Sequence, residues 1–329
     1  MTGGISPADV AELVEHLYGR RTDQALQLAL RLADDGVLTA CILTDLIGPA
    51  QVEVAERWYR DEYSVAGEHA ATHVADTLVT LLGAHEGRTI PTGPHVVALC
   101  PEGEWHSLPL LVTAQVLELH ELEVSYLGAS VPAEHLDRFL RRSRPDAVVL
   151  SCSTPLAFAG VLATVEVAHR WAVPVIAGGR AFGPDAHRAE VLGVDRWATS
   201  ALAAAALVRN GVDAPLRSPT ASASVADELA RDRLRLVDEA FEALRRRFPP
   251  MSEYSVAQLQ GTREDLVYIA QFAEASILVE DARVFDEFLA WLRPLLESRG
   301  VPEAALGVGL AAMAEVADGP RAALLAHRR

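Results

Sequence analysis

The sequence predicts a multidomain fold of α and α/β class: an N-terminal helical bundle, a central five-stranded parallel sheet and a C-terminal all-α domain. Three observations carry that reading. Through the first ninety or so residues, apolar positions recur at helical spacing with short connectors between stretches. From about residue 95, short apolar runs alternate with amphipathic stretches, the pattern of parallel strands with helices on both faces. Beyond about residue 222 the helical period returns and no strand pattern is found. The domains so delimited are 1–88, 93–215 and 222–329, separated by a Gly- and Pro-rich stretch at 83–94 and a Pro-, Ser- and Ala-rich one at 213–224.

Each element has its own local signal. Ser6-Pro7 is a cap followed by proline at the first helical position, and Val10, Leu13, Val14 and Leu17 share one face. A second helix through Ala25, Leu26, Leu28 and Leu32 stops at Asp34-Asp35-Gly36, and further helices are expected at about 38–46, 50–60 and 64–82. Strands are expected at 95–100, 124–127, 147–151, 175–177 and about 196–198, with helices near 108–119, 133–142 and 156–171. A long Arg- and Glu-rich helix from about 225 to 247 ends at Pro249-Pro250, and others follow near 263–278, 281–296, 302–316 and 320–327.

Composition narrows the function. With 50% hydrophobic residues in 329, the chain can fill more than one core. Forty-five acidic residues against 29 basic give a net charge of −16, so a surface that repels phosphate backbones and no nucleic-acid binding are expected. Every basic residue is Arg, which excludes a lysine Schiff base and a phosphate loop of the Gly-Lys-Ser kind. The three cysteines, Cys41, Cys100 and Cys152, form no CxxC pair, so neither a zinc ribbon nor a disulfide scaffold is indicated. The first residues lack a basic leader region, and no uncharged apolar stretch approaches about eighteen residues. The expectation is a cytoplasmic protein with no membrane partner.

The chemistry gathers where strands end. After the first strand comes Pro101-Glu102-Gly103-Glu104-Trp105-His106-Ser107-Leu108-Pro109. A histidine leaving a strand of an open α/β sheet lies at the ligand edge, and Glu104 is placed to accept its second imidazole N–H and fix the tautomer. Alone, such a pair is common on surfaces. The third strand, however, ends in Ser151-Cys152-Ser153-Thr154, and the fourth in Ala177-Gly178-Gly179-Arg180-Ala181-Phe182-Gly183. Small hydroxyls there offer hydrogen bonds to a deep-lying group, and glycines let backbone approach a ligand with no Cβ in the way.

Glu104, His106, Ser151 and Gly178-Gly179 match in order and spacing the signature of the cobalamin-binding Rossmann-like domain family, which the central segment resembles. The resemblance implies that His106 is the lower axial ligand of cobalt, replacing the dimethylbenzimidazole base. The displaced nucleotide tail is then expected to run past Ser151, Ser153, Thr154 and the glycines, with Gly128 and Phe182 also lining the cofactor. Two positions depart from the family: Pro109 stands for the final Gly of the first motif, and Ser153 where Leu is frequent.

The bundle carries Trp58, nine further residues, then Glu68-His69. By residue type alone two readings stay open. One is a buried Trp beside a solvated polar face. The other is a metal site from Glu68, His69 and His73, since His at i and i+4 can share an ion. Beside a cobalamin domain, Trp-x9-Glu-His resembles the light-sensing adenosylcobalamin photoreceptors that repress carotenoid genes. Tyr126 to Pro132 and Gly178 to Gly183 are similar to that family as well. The resemblance implies a bundle over the upper face of adenosylcobalamin, with Trp58 packed on the adenosyl group and Glu68 and His69 hydrogen-bonded to it. That family's DNA-binding head is not expected here, in keeping with the net charge. Tyr59 stands where a second cobalt-capturing His usually follows the Trp.

In the C-terminal third, a helical dimerisation domain is one reading, and a haem globin is disfavoured because its one histidine is His327. The runs Asp265 to Phe272, Phe285 to Arg293 and Arg299 to Pro302 resemble the globin-like, phycobiliprotein-like domain of the photocobilins. That resemblance extends over the whole chain and implies biliverdin alongside cobalamin, held non-covalently unless Cys41, Cys100 or Cys152 reaches it. Residue type nominates Arg263, Arg283 and Arg293 for its propionates, and Tyr254, Tyr268, Phe272 and Trp291 for its rings.

The function expected is therefore a light-sensing regulatory protein rather than an enzyme, since no nucleophile–base pair is supported by a third group. Its output is expected to be a light-dependent change in homo-oligomeric state or the docking of a separate effector. The rival reading is a corrinoid protein of a cobalamin-dependent methyltransferase system, in which a helical bundle also precedes the cobalamin domain. Trp58, Glu68, His69 and the extra helical domain argue against it.

Overall fold

A computed structural model describes residues 4–86, 91–211, 215–298, 301 and 303–326. Two compact units emerge. The first runs to Ser153 and includes Thr164–Ala189 and Val194–Arg217, and the second comprises Thr154–Ala163, Glu190–Gly193 and the chain from Ser218.

The first unit opens with α1 (Pro7–Tyr18), α2 (Thr22–Asp34), α3 (Thr39–Cys41), α4 (Gly48–Tyr59) and α5 (Val65–His85). At the start of α1 the Ser6 side chain accepts from the Asp9 N–H and the Asp9 carboxylate accepts from the Ser6 N–H, a reciprocal cap. The single helix expected at 38–46 is instead α3 passing into a π-helical run, Ile42–Ile47. Pro49 lacks the N–H that would close an α-turn on Asp45, and the ladder widens ahead of it. Helix α5 also runs past the expected stop and carries Gly83, read from sequence as linker. There it approaches the next helix so closely that any side chain would displace the Gln115 amide. Residues 87–90 of that linker lie outside the described residues.

The sheet follows: β1 (His95–Pro101), β2 (Glu123–Val131), β3 (Ala147–Ser151), β4 (Val175–Gly178) and β5 (Arg196–Trp197), all parallel in the order β2-β1-β3-β4-β5. The helices between them are α6 (Leu108–Leu119), α7 (Ala133–Ser143), α8 (Phe158–Arg170), α9 (His187–Val191) and α10 (Ala201–Arg209). The last two had no separate expectation. Strand β2 is longer than the expected 124–127 because register shifts, one at Gly128 with φ +79°, let it stay paired as far as Val131. Bundle and sheet share one hydrophobic core, in which Leu13, Leu46 and Leu78 belong with Val96, Leu117 and Ile176.

The second unit holds α11 (Ala223–Arg247), α12 (Val256–Leu278), α13 (Arg283–Ser298), α14 (Glu303–Val316) and α15 (Gly319–Ala326), with no strand among its described residues. Helix α12 begins well before the expected 263, because Ser255 and Gln258 form a capping box. Leu236, Phe241, Ile269, Phe285, Leu310 and Met313 are buried. Glu274 on α12 pairs with Arg233 on α11 and, at 2.7 Å, with Arg321 on α15. Residues 213–214, Arg299, Gly300, Pro302 and His327, which entered the sequence reading, lie outside the described residues.

Candidate functional site

A sheet ordered 2-1-3-4-5 reverses direction between β1 and β3, and the crevice beyond their carboxyl ends is where ligands sit in such folds. His106 follows β1 and Ser151 ends β3, paired in register with Gly178 of β4. The topology thus gathers three of the sequence motifs at one edge.

His106 is held from below by a carboxylate without exposed surface. Its Nδ1 lies 2.6 Å from Oε1 of Glu104, which also accepts the His106 backbone N–H at 2.9 Å. Oε2 of Glu104 accepts the Ser153 N–H at 2.5 Å. Glu104 is 0% exposed while the His106 side chain is 66% exposed, so the ring projects from a buried anchor. The bond to Glu104 raises the imidazole's pKa against the opposing effect of burial. The charges of Arg180 and of Glu68, a bundle residue, also act on it, the first lowering and the second raising. The loop is pinned further by Ser130, whose N–H donates to the Glu104 carbonyl at 2.9 Å and whose hydroxyl accepts from Gly103 at 3.2 Å. Burial, with the nearby Glu104 charge, pushes the Cys100 thiol up to about 12, which removes it as a nucleophile or metal ligand.

The glycine pair is sterically required. Gly179 has φ +110°, and a Cβ there would lie 2.2 Å from the Cys152 carbonyl oxygen; one on Gly178 would lie 2.9 Å from that of Ala198. The turn is underpinned by Arg188, fully buried, which donates to the Ala181 carbonyl at 3.0 Å. Phe182 is buried beside it, and Ser151 is buried at the end of β3. Thr154 caps the short turn that follows, accepting from the Leu156 N–H. Sequence reasoning missed Arg188, because nothing local marks an arginine destined for the interior.

On the bundle, Trp58 lies half-buried near the end of α4, and Glu68 and His69 lie in the first turn of α5. Glu68 accepts from Thr72 Oγ1 at 2.8 Å, and Gln51 of α4 donates to that same hydroxyl, so the Glu68 carboxylate is fixed from two helices. His69 is 74% exposed, with Nδ1 at 3.5 Å from Glu68. Tyr18 and Tyr63 stack at 3.6 Å with Arg57 over both rings, which stiffens the α4–α5 junction. Burial first, and the Glu56 charge second, raise the pKa of Tyr59. The metal site offered by Glu68, His69 and His73 is not formed: among the described residues no three His, Cys, Asp or Glu gather to hold an ion. His69 and His73 are both exposed, and Glu68 is engaged with Thr72.

The bilin candidates are less convergent. Arg263 pairs with Asp238 and lies over the Phe241 ring, and Arg283 bonds Asp281 at 2.9 Å, so both guanidiniums are already engaged. Arg293, Tyr268 and Trp291 are exposed. Phe272 stacks on Phe288 at 3.9 Å, with Trp291 tilted against Phe288, while Tyr254 meets Phe248 edge-on.

A ligand that takes an axial imidazole suits this edge, which offers a projecting His106 ring whose Nδ1 is tied to buried Glu104. Comparison with known proteins identifies the domains that hold this edge and the bundle. Residues 94–206 match a family model described as a B12 binding domain, and residues 9–82 match a second model with the same description. The chain therefore carries two B12-binding domains and is a cobalamin-binding protein.

Its named relatives are regulators. It is 35% identical over 144 residues to the HTH-type transcriptional repressor CarH of Myxococcus xanthus, covering 42% of this chain and 46% of that protein. It is 30% identical over 193 residues to the repressor CarA of the same organism, covering 54% and 66%. The chain thus spans about half to two thirds of the length of these curated relatives. Its fold is similar to that of the Methanosarcina barkeri monomethylamine corrinoid protein, with TM-score 0.52 at 15% identity over 60% of this chain and 95% of that one. No helix among the described residues is long and apolar enough to cross a membrane.

Proposed function

We propose that the chain is a cytoplasmic light-sensing regulatory protein. It holds adenosylcobalamin with the cofactor's own base displaced and His106 on cobalt, and it binds biliverdin through its C-terminal helices. One observation carries the cobalamin part. The exposed His106 imidazole is locked on buried Glu104 at the ligand edge of the sheet, in the same compact unit as the bundle that carries Trp58, Glu68 and His69. When bound, adenosylcobalamin supplies a cobalt–carbon bond that visible light breaks.

The chain's residues do the rest. Glu104 keeps the proton on Nδ1 and leaves Nε2 for cobalt. Gly178 and Gly179 let the turn after β4 close on the Cys152 and Ala198 backbone beside Ser151 and Ser153, along which the tail runs in this reading. Trp58, Glu68 and His69 hold the adenosyl side, and a difference in their contacts between dark and illuminated forms biases the equilibrium between assembly states. The Trp-x9-Glu-His spacing and the likeness to two repressors support a regulatory role. The biliverdin reading is supported by the resemblance and by the aromatic group of Phe272, Phe288 and Trp291.

The test is to load the protein with adenosylcobalamin in the dark and then expose it to green light. The photoreceptor reading expects a changed spectrum together with a changed elution volume. A methyl carrier of a methyltransferase system retains its assembly state under light, and that outcome would replace the present reading. Separate titration with biliverdin should give a red-shifted bilin band; a spectrum identical to free pigment removes the bilin.

A further inference from the structure

The turn after β4 is built more firmly than clearance for a ligand requires. Gly179 is locked by its φ and by the Cys152 backbone, Ala181 donates its N–H to the Cys152 carbonyl at 3.2 Å, and Arg188 holds the Ala181 carbonyl from inside. Arg180 lies between these fixed points. Its side chain is exposed, and it makes no ion pair among the described residues. The Cys152 N–H in turn donates to the Gly178 carbonyl at 3.0 Å, the next residue's N–H meets Glu104, and Glu104 holds His106. Arg180 therefore stands on the same edge as the His106 ring, a short bonded path away.

An arginine on a fixed turn, without a carboxylate partner among the described residues and in a chain of net charge −16, favours an anion brought by the ligand. Cobalamin has one fixed anion outside the corrin, the phosphodiester of its nucleotide tail, and its peripheral amides are neutral. We infer that Arg180 pairs with that phosphodiester and selects complete cobalamins over corrinoids that lack the nucleotide. The inference rests on the cobalamin reading and deepens it.

Dark spectral titrations of the full chain with adenosylcobalamin and with adenosylcobinamide, which lacks the nucleotide and its phosphodiester, test it directly. Arg180→Gln should weaken adenosylcobalamin by about 10-fold and leave cobinamide unchanged, and Arg180→Lys should recover part of the loss. Unchanged cobinamide binding also shows that the variant is folded. Equal affinity of wild type and Arg180→Gln for adenosylcobalamin overturns the assignment alone, as does an equal loss for both corrinoids. A wild-type chain that takes up neither overturns the cobalamin reading, and the assignment falls with it.

Discussion

Glu104 decides what His106 can do. With no exposed surface and its two oxygens accepting from His106 and Ser153, it fixes the imidazole's tautomer and orientation and ties the loop after β1 to the end of β3. Partners of this kind are worth about 10–100-fold in metal affinity. Glu104→Gln should therefore lower cobalamin affinity by about that factor in dark titrations, and an unchanged affinity would show that the carboxylate is only a packing element. Gly179→Ala has a different signature: a forced Cβ against the Cys152 carbonyl should cost about 1–3 kcal/mol in urea unfolding. These residues were legible in the sequence because the motif is short and each type has a steric or chemical reason at its place. Arg188, Ser130 and the Tyr18–Tyr63 stack were not, since their partners are distant along the chain or give no periodic signal.

At the scale of elements, strands and long helices followed their periodicity, and departures came at ends and junctions. The Ser255–Gln258 cap starts α12 in a stretch too polar to show a helical face. Pro49 widens a helix whose apolar pattern looked continuous. Asp195 shows how a junction is held. It accepts from His169 Nε2 at 2.8 Å and from the backbone N–H groups of Val175 and Arg217, both at 2.7 Å, joining α8, β4 and the end of the first unit. Burial alone would raise its pKa, but these bonds outweigh it and hold the carboxyl below the usual range. A depressed carboxyl contributes stability that is complete above its unfolded pKa of about 3.9 and is lost as pH falls through the folded value. Wild type should thus exceed Asp195→Asn in Tm at neutral pH, with the gap closing on acidification below about pH 4. A gap that widens on acidification would refute this.

For the whole molecule, the main difference from the sequence reading is the seam between bundle and sheet. A Gly- and Pro-rich stretch at 83–94 reads as a linker between two domains, yet α5 packs on α6 and both belong to one core. Leu78→Ala, which empties a fully buried position in that core, should cost about 2–5 kcal/mol. Bundle and sheet should still unfold together by circular dichroism and by Trp fluorescence. Two separated transitions within this unit would mean that the core is not shared. A bundle seated in this way resists free swinging, so a light response is expected as a shift in docking or assembly, not as detachment of a flexible cap.

The most direct measurement is the absorption spectrum of wild type and His106→Ala titrated with adenosylcobalamin in the dark. Wild type should bind tightly with the spectrum of histidine-ligated, base-displaced cobalamin, and His106→Ala should lose that spectrum and most of the affinity. Identical spectra for the two proteins, or no uptake by wild type, would contradict His106 as the cobalt ligand.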